Sequence, residues 1–221
     1  MDIKINPRQL KLSEGVKAML LKDMLYFRRK FFFILLLIMF CLVMIPYFSY
    51  FTNIYAAALV SIPFAYDRYY KWDRTASFLP VHPRAVVLAR YIISFLFLIL
   101  LLIALVPMTL IAQDMYGYDA APDVKNMLFN GIISILQVSV MIPLYYRFNE
   151  KLLNVGLVYG IISFFPAVLQ LYLMYDTVFG LYEFSSYYFA SALLLIGAIL
   201  VIPVLIVSYI LANRFYRTGK R

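Results

Sequence analysis

The chain has 221 residues, 65% of them apolar, and a net charge of +9. That balance predicts one helical membrane domain and no soluble domain, because the longest polar segments are too short to close a core of their own. The lone Cys41 excludes an intrachain disulfide and a cysteine metal cluster.

Residues 1–30 form a basic leader, expected on the cytoplasmic side and without a cleavable signal. Within it, Ser13–Lys30 reads as an amphipathic helix. Val16, Met19, Leu20, Met24 and Phe27 recur at three- and four-residue spacing, with Lys17, Lys22 and Arg28 elsewhere on the wheel. Ser13 is the expected N-cap, with Glu14 in the first turn. A solvated leader is the competing reading, and periodicity over three turns favours a helix lying in the membrane interface.

Residues 31–212 hold six apolar stretches, at Phe31–Pro46, Tyr47–Tyr66, Tyr91–Ala112, Phe129–Tyr146, Leu152–Tyr175 and Phe189–Ala212. Each approaches the roughly 20 residues that a helix needs to cross a bilayer. The first two are contiguous; as one helix they would run about 54 Å, too long for the hydrocarbon core. Two spans turning near Pro46–Thr52 also keep the basic flanks on one side. Nineteen of the 20 Lys and Arg lie before Phe31, between Asp67 and Arg90, at Arg147 and Lys151, or in the 213–221 tail. The other connections hold only Lys125 among five acids. The positive-inside rule then places both termini in the cytoplasm of a multi-pass cell-membrane protein. The basic face is suited to anionic lipid headgroups and a cytoplasmic partner.

Each stretch carries one proline: Pro46, Pro63, Pro107, Pro143, Pro166 and Pro203. Kinks or helix ends are expected there. Gly156 and Gly160 form a G-x-x-x-G pair, suited either to packing within the chain or to a dimer contact. The aromatic connection Asp176–Tyr188 reads as interfacial anchors or as a substrate-facing lip.

No ionisable side chain falls inside the six spans as drawn, which argues against an ion-coupled carrier. With one histidine, His82, there is no H-E-x-x-H zinc site and no Ser-His-Asp triad; there is also no G-x-x-x-x-G-K-[ST] phosphate loop. The chain is therefore not expected to be an enzyme or to bind a cofactor, and its energy source is expected elsewhere.

The connection 67–90 has a pattern of its own. Tyr69, Trp72 and Ala76 follow helical spacing, Pro80 ends that helix, and Pro83 starts another that runs into the third span. Trp72 and Phe78 on a water-facing loop suggest an interface. This segment resembles the corresponding loop of type-2 ATP-binding-cassette (ABC) exporter permeases. In particular it looks like the compact six-span bacterial permeases related to the exporters of phenol-soluble modulins and other antimicrobial peptides. The resemblance rests on Asp67 after the second span, Trp72-Asp73, Leu79-Pro80, Arg84, and Arg90-Tyr91 opening the third span, with the leader helix similar to that family's elbow helix. It implies an all-α permease that pairs with a second copy or a paralogue. ATP and Mg would be bound by a separate ATPase subunit. Asp67, Arg68, Lys71, Trp72, Asp73, Arg74, Phe78, Leu79 and Pro80 would contact that ATPase, and Arg147 and Glu150 would make a secondary contact. Gly156 and Gly160 are the candidate dimer contact. The implied substrate is hydrophobic or amphipathic, such as a peptide. A membrane scaffold that anchors a cytoplasmic complex is the alternative function.

Overall fold

The computed structural model describes residues 11–28, 52–72, 80–116, 124–148, 168 and 183–218. Every element among them is an α-helix: α1 (Leu12–Arg28), α2 (Thr52–Tyr69), α3 (Pro83–Tyr116), α4 (Val124–Phe148) and α5 (Glu183–Thr218). Three stretches are long and apolar enough to cross a membrane: Pro83–Ala104, Asn130–Phe148 and Leu195–Thr218. The expected spans Phe31–Pro46 and Leu152–Tyr175 lie outside the described residues, Val168 excepted, as does the Gly156–Gly160 pair.

The helices overrun the apolar stretches at their polar ends. The expected third span, Tyr91–Ala112, is the middle of a 34-residue helix that starts at Pro83. Proline suits a first helical position, where its missing N–H costs nothing. His82 completes the start: the Arg84 amide donates to His82 Nδ1 at 3.1 Å, and the Ala85 amide donates to the His82 carbonyl at 2.9 Å. The last helix begins at Glu183, so Phe184, Tyr187 and Tyr188 are helical rather than part of a connection. Pro63, Pro107, Pro143 and Pro203 all lie within helices, and none ends one.

The first helix departs from its expected register. It starts at Leu12, so Ser13 sits in the first turn rather than at the cap. Its inward stripe is Gly15, Val16, Met19 and Asp23, whereas Met24 is half exposed and joins Leu21 and Leu25 on the outer face. Gly15 fits this choice of face: a Cβ there would lie 3.0 Å from Ala85 Cβ, so the absence of a side chain lets α1 and α3 approach closely at that residue.

Helix contacts fix the relative directions. The C-terminal ends of α2, α4 and α5, the N-terminal end of α3, and α1 all meet at one end of the bundle. Phe64 stacks on Tyr145 at 4.7 Å and meets Tyr146 edge-on at 5.2 Å, and Tyr146 in turn meets Tyr216 at 5.2 Å. These rings join Val16, Met19, Val60, Val86, Val87, Val138, Met141 and Ile142 in one apolar core. Arg68, Lys71, Arg84, Arg147, Arg214 and Arg217 are therefore gathered at the same end.

Candidate functional site: an ion-pair ring at the basic end

Four charged side chains from three helices close a ring in this core. Asp23 lies seven residues after Val16 and four after Met19, so helical periodicity carries it onto the buried stripe of α1. Arg90 lies four and three residues after Val86 and Val87, on the buried face of α3. Asp67 sits in the last turn of α2. Arg90 Nη1 donates to Asp23 Oδ2 at 2.7 Å, and Arg90 Nη2 donates to Asp67 Oδ2. Lys22 Nζ donates to Asp67 Oδ1 at 2.6 Å. The same ammonium lies 3.3 Å from Asp23 Oδ1, an ion pair without hydrogen-bond geometry. Each acid thus meets both bases, and the ring is neutral in sum.

Burial makes this ring consequential. The side chains of Arg90 and Asp23 are 1% and 0% exposed, and those of Lys22 and Asp67 are 12% and 13% exposed. Charges at such depth persist only when paired and hydrogen-bonded. Desolvation pushes the Asp23 carboxyl above the usual carboxylate range, against the pull of Arg90 and Lys22. Desolvation, aided by the like charge of Arg90, pulls the Lys22 ammonium below its ordinary value. Aromatic rings cap the cations: the Arg90 guanidinium lies 5.1 Å from the Phe64 centroid, and Lys22 Nζ lies 4.2 Å from that of Trp72.

The connection after α2 begins differently from its expected form. Helical hydrogen bonding reaches Tyr70, whose amide donates to the Tyr66 carbonyl, and Lys71 then adopts φ +50°. A left-handed residue terminates a helix. Asp67 and Tyr69 therefore belong to α2, and Tyr69 and Trp72 do not share one continuous helix. Nor is Trp72 an exposed anchor. It is half-buried and packs on the core, its indole N–H has no hydrogen-bond partner among the described residues, and Lys22 covers its ring. Among the described residues, Tyr69 and Tyr70, 78% and 55% exposed, are the aromatic residues this corner presents outward.

Of the residues singled out from sequence, the structure brings Asp67 and Trp72 to the ring. Arg68 is half-buried beside it, Lys71 is exposed, and Pro80 lies just before the start of α3. Arg147 is elsewhere, at the end of α4, with its guanidinium 5.2 Å from the Phe215 ring and 5.8 Å from the Phe148 ring. Asp73, Arg74, Phe78, Leu79 and Glu150 lie outside the described residues. Sequence reasoning missed Lys22 and Asp23 as site residues and treated Arg90 as the edge of a span. Arg90 sits one residue before the third span as drawn; the apolar stretch of membrane-crossing length, Pro83–Ala104, starts earlier and includes it as the eighth residue of its helix. The available signal was an aspartate on the apolar stripe of α1.

Among the described residues, no group of three or more His, Cys, Asp or Glu side chains could hold a metal ion. What the ring can do is mechanical: it ties α1, the last turn of α2 and the start of α3 into a joint, at the root of the 67–90 connection.

No curated protein and no solved structure matches the chain. A family model described as ABC-2 family transporter protein matches residues 18–217, from within α1 to the last turn of α5. Covering nearly the whole chain, that match shows that the protein belongs to the ABC-2 transporter family, as the multi-pass membrane permease component of an ABC transporter.

Proposed function

We propose that the protein is the permease of an exporter that moves a hydrophobic or amphipathic substrate, such as a peptide, out of the cell. The observation that carries this reading is the ion-pair ring, which joins α1, α2 and α3 at the root of the longest basic connection. The family implies an ABC ATPase partner, and the sequence has no phosphate loop of its own. On this reading both termini and the 67–90 connection are cytoplasmic, in keeping with the positive-inside distribution. Two six-span chains form the pathway, with Gly156 and Gly160 as a contact between them.

The 67–90 connection receives the ATPase. Tyr69 and Tyr70 supply exposed aromatic surface, with Lys71, Asp73, Arg74, Phe78, Leu79 and Pro80 continuing the contact, and Glu150 adding a second. Trp72 works inward: its displacement moves Lys22, and through Asp67 and Arg90 the push reaches α1 and α3. Two copies alternate between inward- and outward-open arrangements as the ATPase subunits close.

The test is co-expression with the cognate ATPase subunit, followed by reconstitution and measurement of substrate-stimulated ATP hydrolysis. Tyr69→Ala with Tyr70→Ala is expected to weaken co-purification by about tenfold or more, as for aromatic anchors at interfaces. Trp72→Ala is expected to keep the ATPase bound while abolishing stimulation. Normal binding and normal stimulation in both variants would show that this corner transmits nothing.

A further inference from the structure

A cavity of about 500 Å³ lies between α4 and α5, away from the ion-pair ring. Its walls are Val140, Pro143 and Leu144 on one helix and Pro203, Val204 and Val207 on the other. The volume falls within the roughly 300–1,000 Å³ of sites that hold small ligands. Ser139 and Ser208 also reach the walls, but their hydroxyls are engaged. Ser139 Oγ donates to the Ile135 carbonyl, while Ser208 Oγ donates to the Ser139 carbonyl and meets the Tyr91 hydroxyl. The groove therefore offers a hydrocarbon surface with its polar groups already satisfied. A polar occupant buried there would forfeit its hydrogen bonds.

One end of the groove is different. Arg147, exposed at the end of α4, lines that end, its guanidinium held near Phe215 and Phe148. Among the described residues it has no carboxylate within ion-pair distance. Arg214, one turn beyond Leu211 of the groove wall, is also exposed. Both helices contain stretches long and apolar enough to cross a membrane, and this is the basic end of the bundle. An apolar slot between two helices of membrane-crossing length, closed at its basic end by a guanidinium, is complementary to a hydrocarbon chain carrying an anionic phosphate head.

We propose that the α4–α5 groove binds an anionic phospholipid of the leaflet at the basic end, with an acyl chain along Val140, Val204 and Val207 and the phosphate on Arg147. Basic pockets between membrane helices recognise anionic headgroups in this way. The site gives Arg147 a task toward the bilayer instead of toward the ATPase. Family membership alone is enough for it, so it does not depend on the direction of transport or on the nature of the cargo.

The experiment is native mass spectrometry of the permease–ATPase complex, extracted from bilayers of equimolar phosphatidylglycerol and phosphatidylcholine with identical acyl chains. The wild type is expected to retain phosphatidylglycerol preferentially. Arg147→Gln should lower that preference about fivefold, the worth of one basic residue near a membrane surface, and Arg147→Lys should largely keep it. Val204→Trp fills the groove and should lower retention of both lipids. Arg147 is exposed, so its variants report even if the tryptophan disturbs folding. Unchanged preference in Arg147→Gln overturns the proposal, as does release of the ATPase with lipid preference intact. Efficient disulfide cross-linking of two copies through Val207→Cys would also overturn it, since the groove would then be covered by protein. Lipid retention is read without ATP hydrolysis, so its failure leaves the permease reading standing, and a failed transport assay leaves the lipid site standing.

Discussion

Replacing Arg90 with methionine keeps a long unbranched side chain and deletes the guanidinium. Asp23, fully buried, and Asp67 would then share Lys22 as their one remaining cation in the ring. Breaking a buried pair by removing one partner costs roughly 3–5 kcal/mol. The lost contact with Phe64 adds about 0.5–2 kcal/mol. Part is returned, because burial already raises the proton affinity of Asp23 and the acid can neutralise itself. The net expectation for Arg90→Met is a loss of about 3–5 kcal/mol, a fall in Tm on the order of 10 °C for a chain of this size. Combining it with Asp23→Asn restores neutrality and leaves Lys22 paired with Asp67. The double variant should therefore be more stable than the sum of the single losses predicts, with an interaction energy of about 2 kcal/mol. Thermal unfolding of the four proteins in one detergent and lipid mixture measures the cycle. Additive losses, or an Arg90→Met cost below about 1 kcal/mol, would refute the idea that the ring is one electrostatic unit.

Asp23 also sets a pH dependence. Its folded-state proton affinity is raised, so its contribution to stability is present below the unfolded carboxylate pKa and is lost as pH rises through the folded value. Asp23→Asn should flatten the fall in Tm from acid toward neutral pH, and parallel slopes in the two proteins would contradict this. At the start of α3, His82→Ala removes the side-chain acceptor for the Arg84 amide and should cost about 1 kcal/mol, whereas His82→Ser should restore most of it in the same unfolding assay. Between α4 and α5, a Cβ on Gly197 would lie 2.8 Å from Ile132 Cγ2. Gly197→Ala should destabilise by about 1–3 kcal/mol despite its better helix propensity, and adding Ile132→Ala, which deletes the opposing methyl, should recover part of that loss.

The legible parts of this fold were those written in composition and period. Apolar runs located α3, α4 and α5, and Pro83 marked the start of α3, because a proline at a first helical position and a run of apolar residues are local signals. The distribution of basic residues matched the bundle end where α2, α4 and α5 finish. What could not be read was partnership across distance. Asp23 and Arg90 are 67 residues apart, and Lys22 and Asp67 are 45 apart. In sequence, Lys22 is one more basic residue of a leader, and Arg90 is the last charge before an apolar run. Trp72 was misjudged for the same reason: an aromatic residue in a polar loop looks exposed until the helix that covers it is placed. The turn at Lys71 was equally hidden, because a left-handed lysine carries no glycine to announce it.

The choice of ions over apolar packing at this joint has a mechanical consequence. Val16 and Met19 already hold α1 against the core, and apolar contacts of that kind tolerate sliding, since they are non-directional. The ring is not tolerant in this way. Each carboxylate meets a cation from another helix, and a shift of α1 relative to α2 or α3 strands at least one charge at a depth where stranding costs several kcal/mol. The ring therefore resists displacement of these helices relative to one another. Trp72 lies against Lys22 just beyond the left-handed turn at Lys71, so on the proposed coupling route motion of the 67–90 connection would enter the ring at its partly exposed corner and leave it through Arg90 at its buried one. If the 67–90 connection receives force from the ATPase as proposed, such a rigid first link would carry the displacement into α3, where a compliant one would dissipate it. Lys22→Met puts this to the test: it removes the cation that links Trp72 to Asp67, while Arg90 stays paired with both acids. Lys22→Met should leave the ATPase bound and lower substrate-stimulated ATP hydrolysis, with a smaller loss of stability than Arg90→Met. Full stimulation in Lys22→Met would show that the push travels by another route.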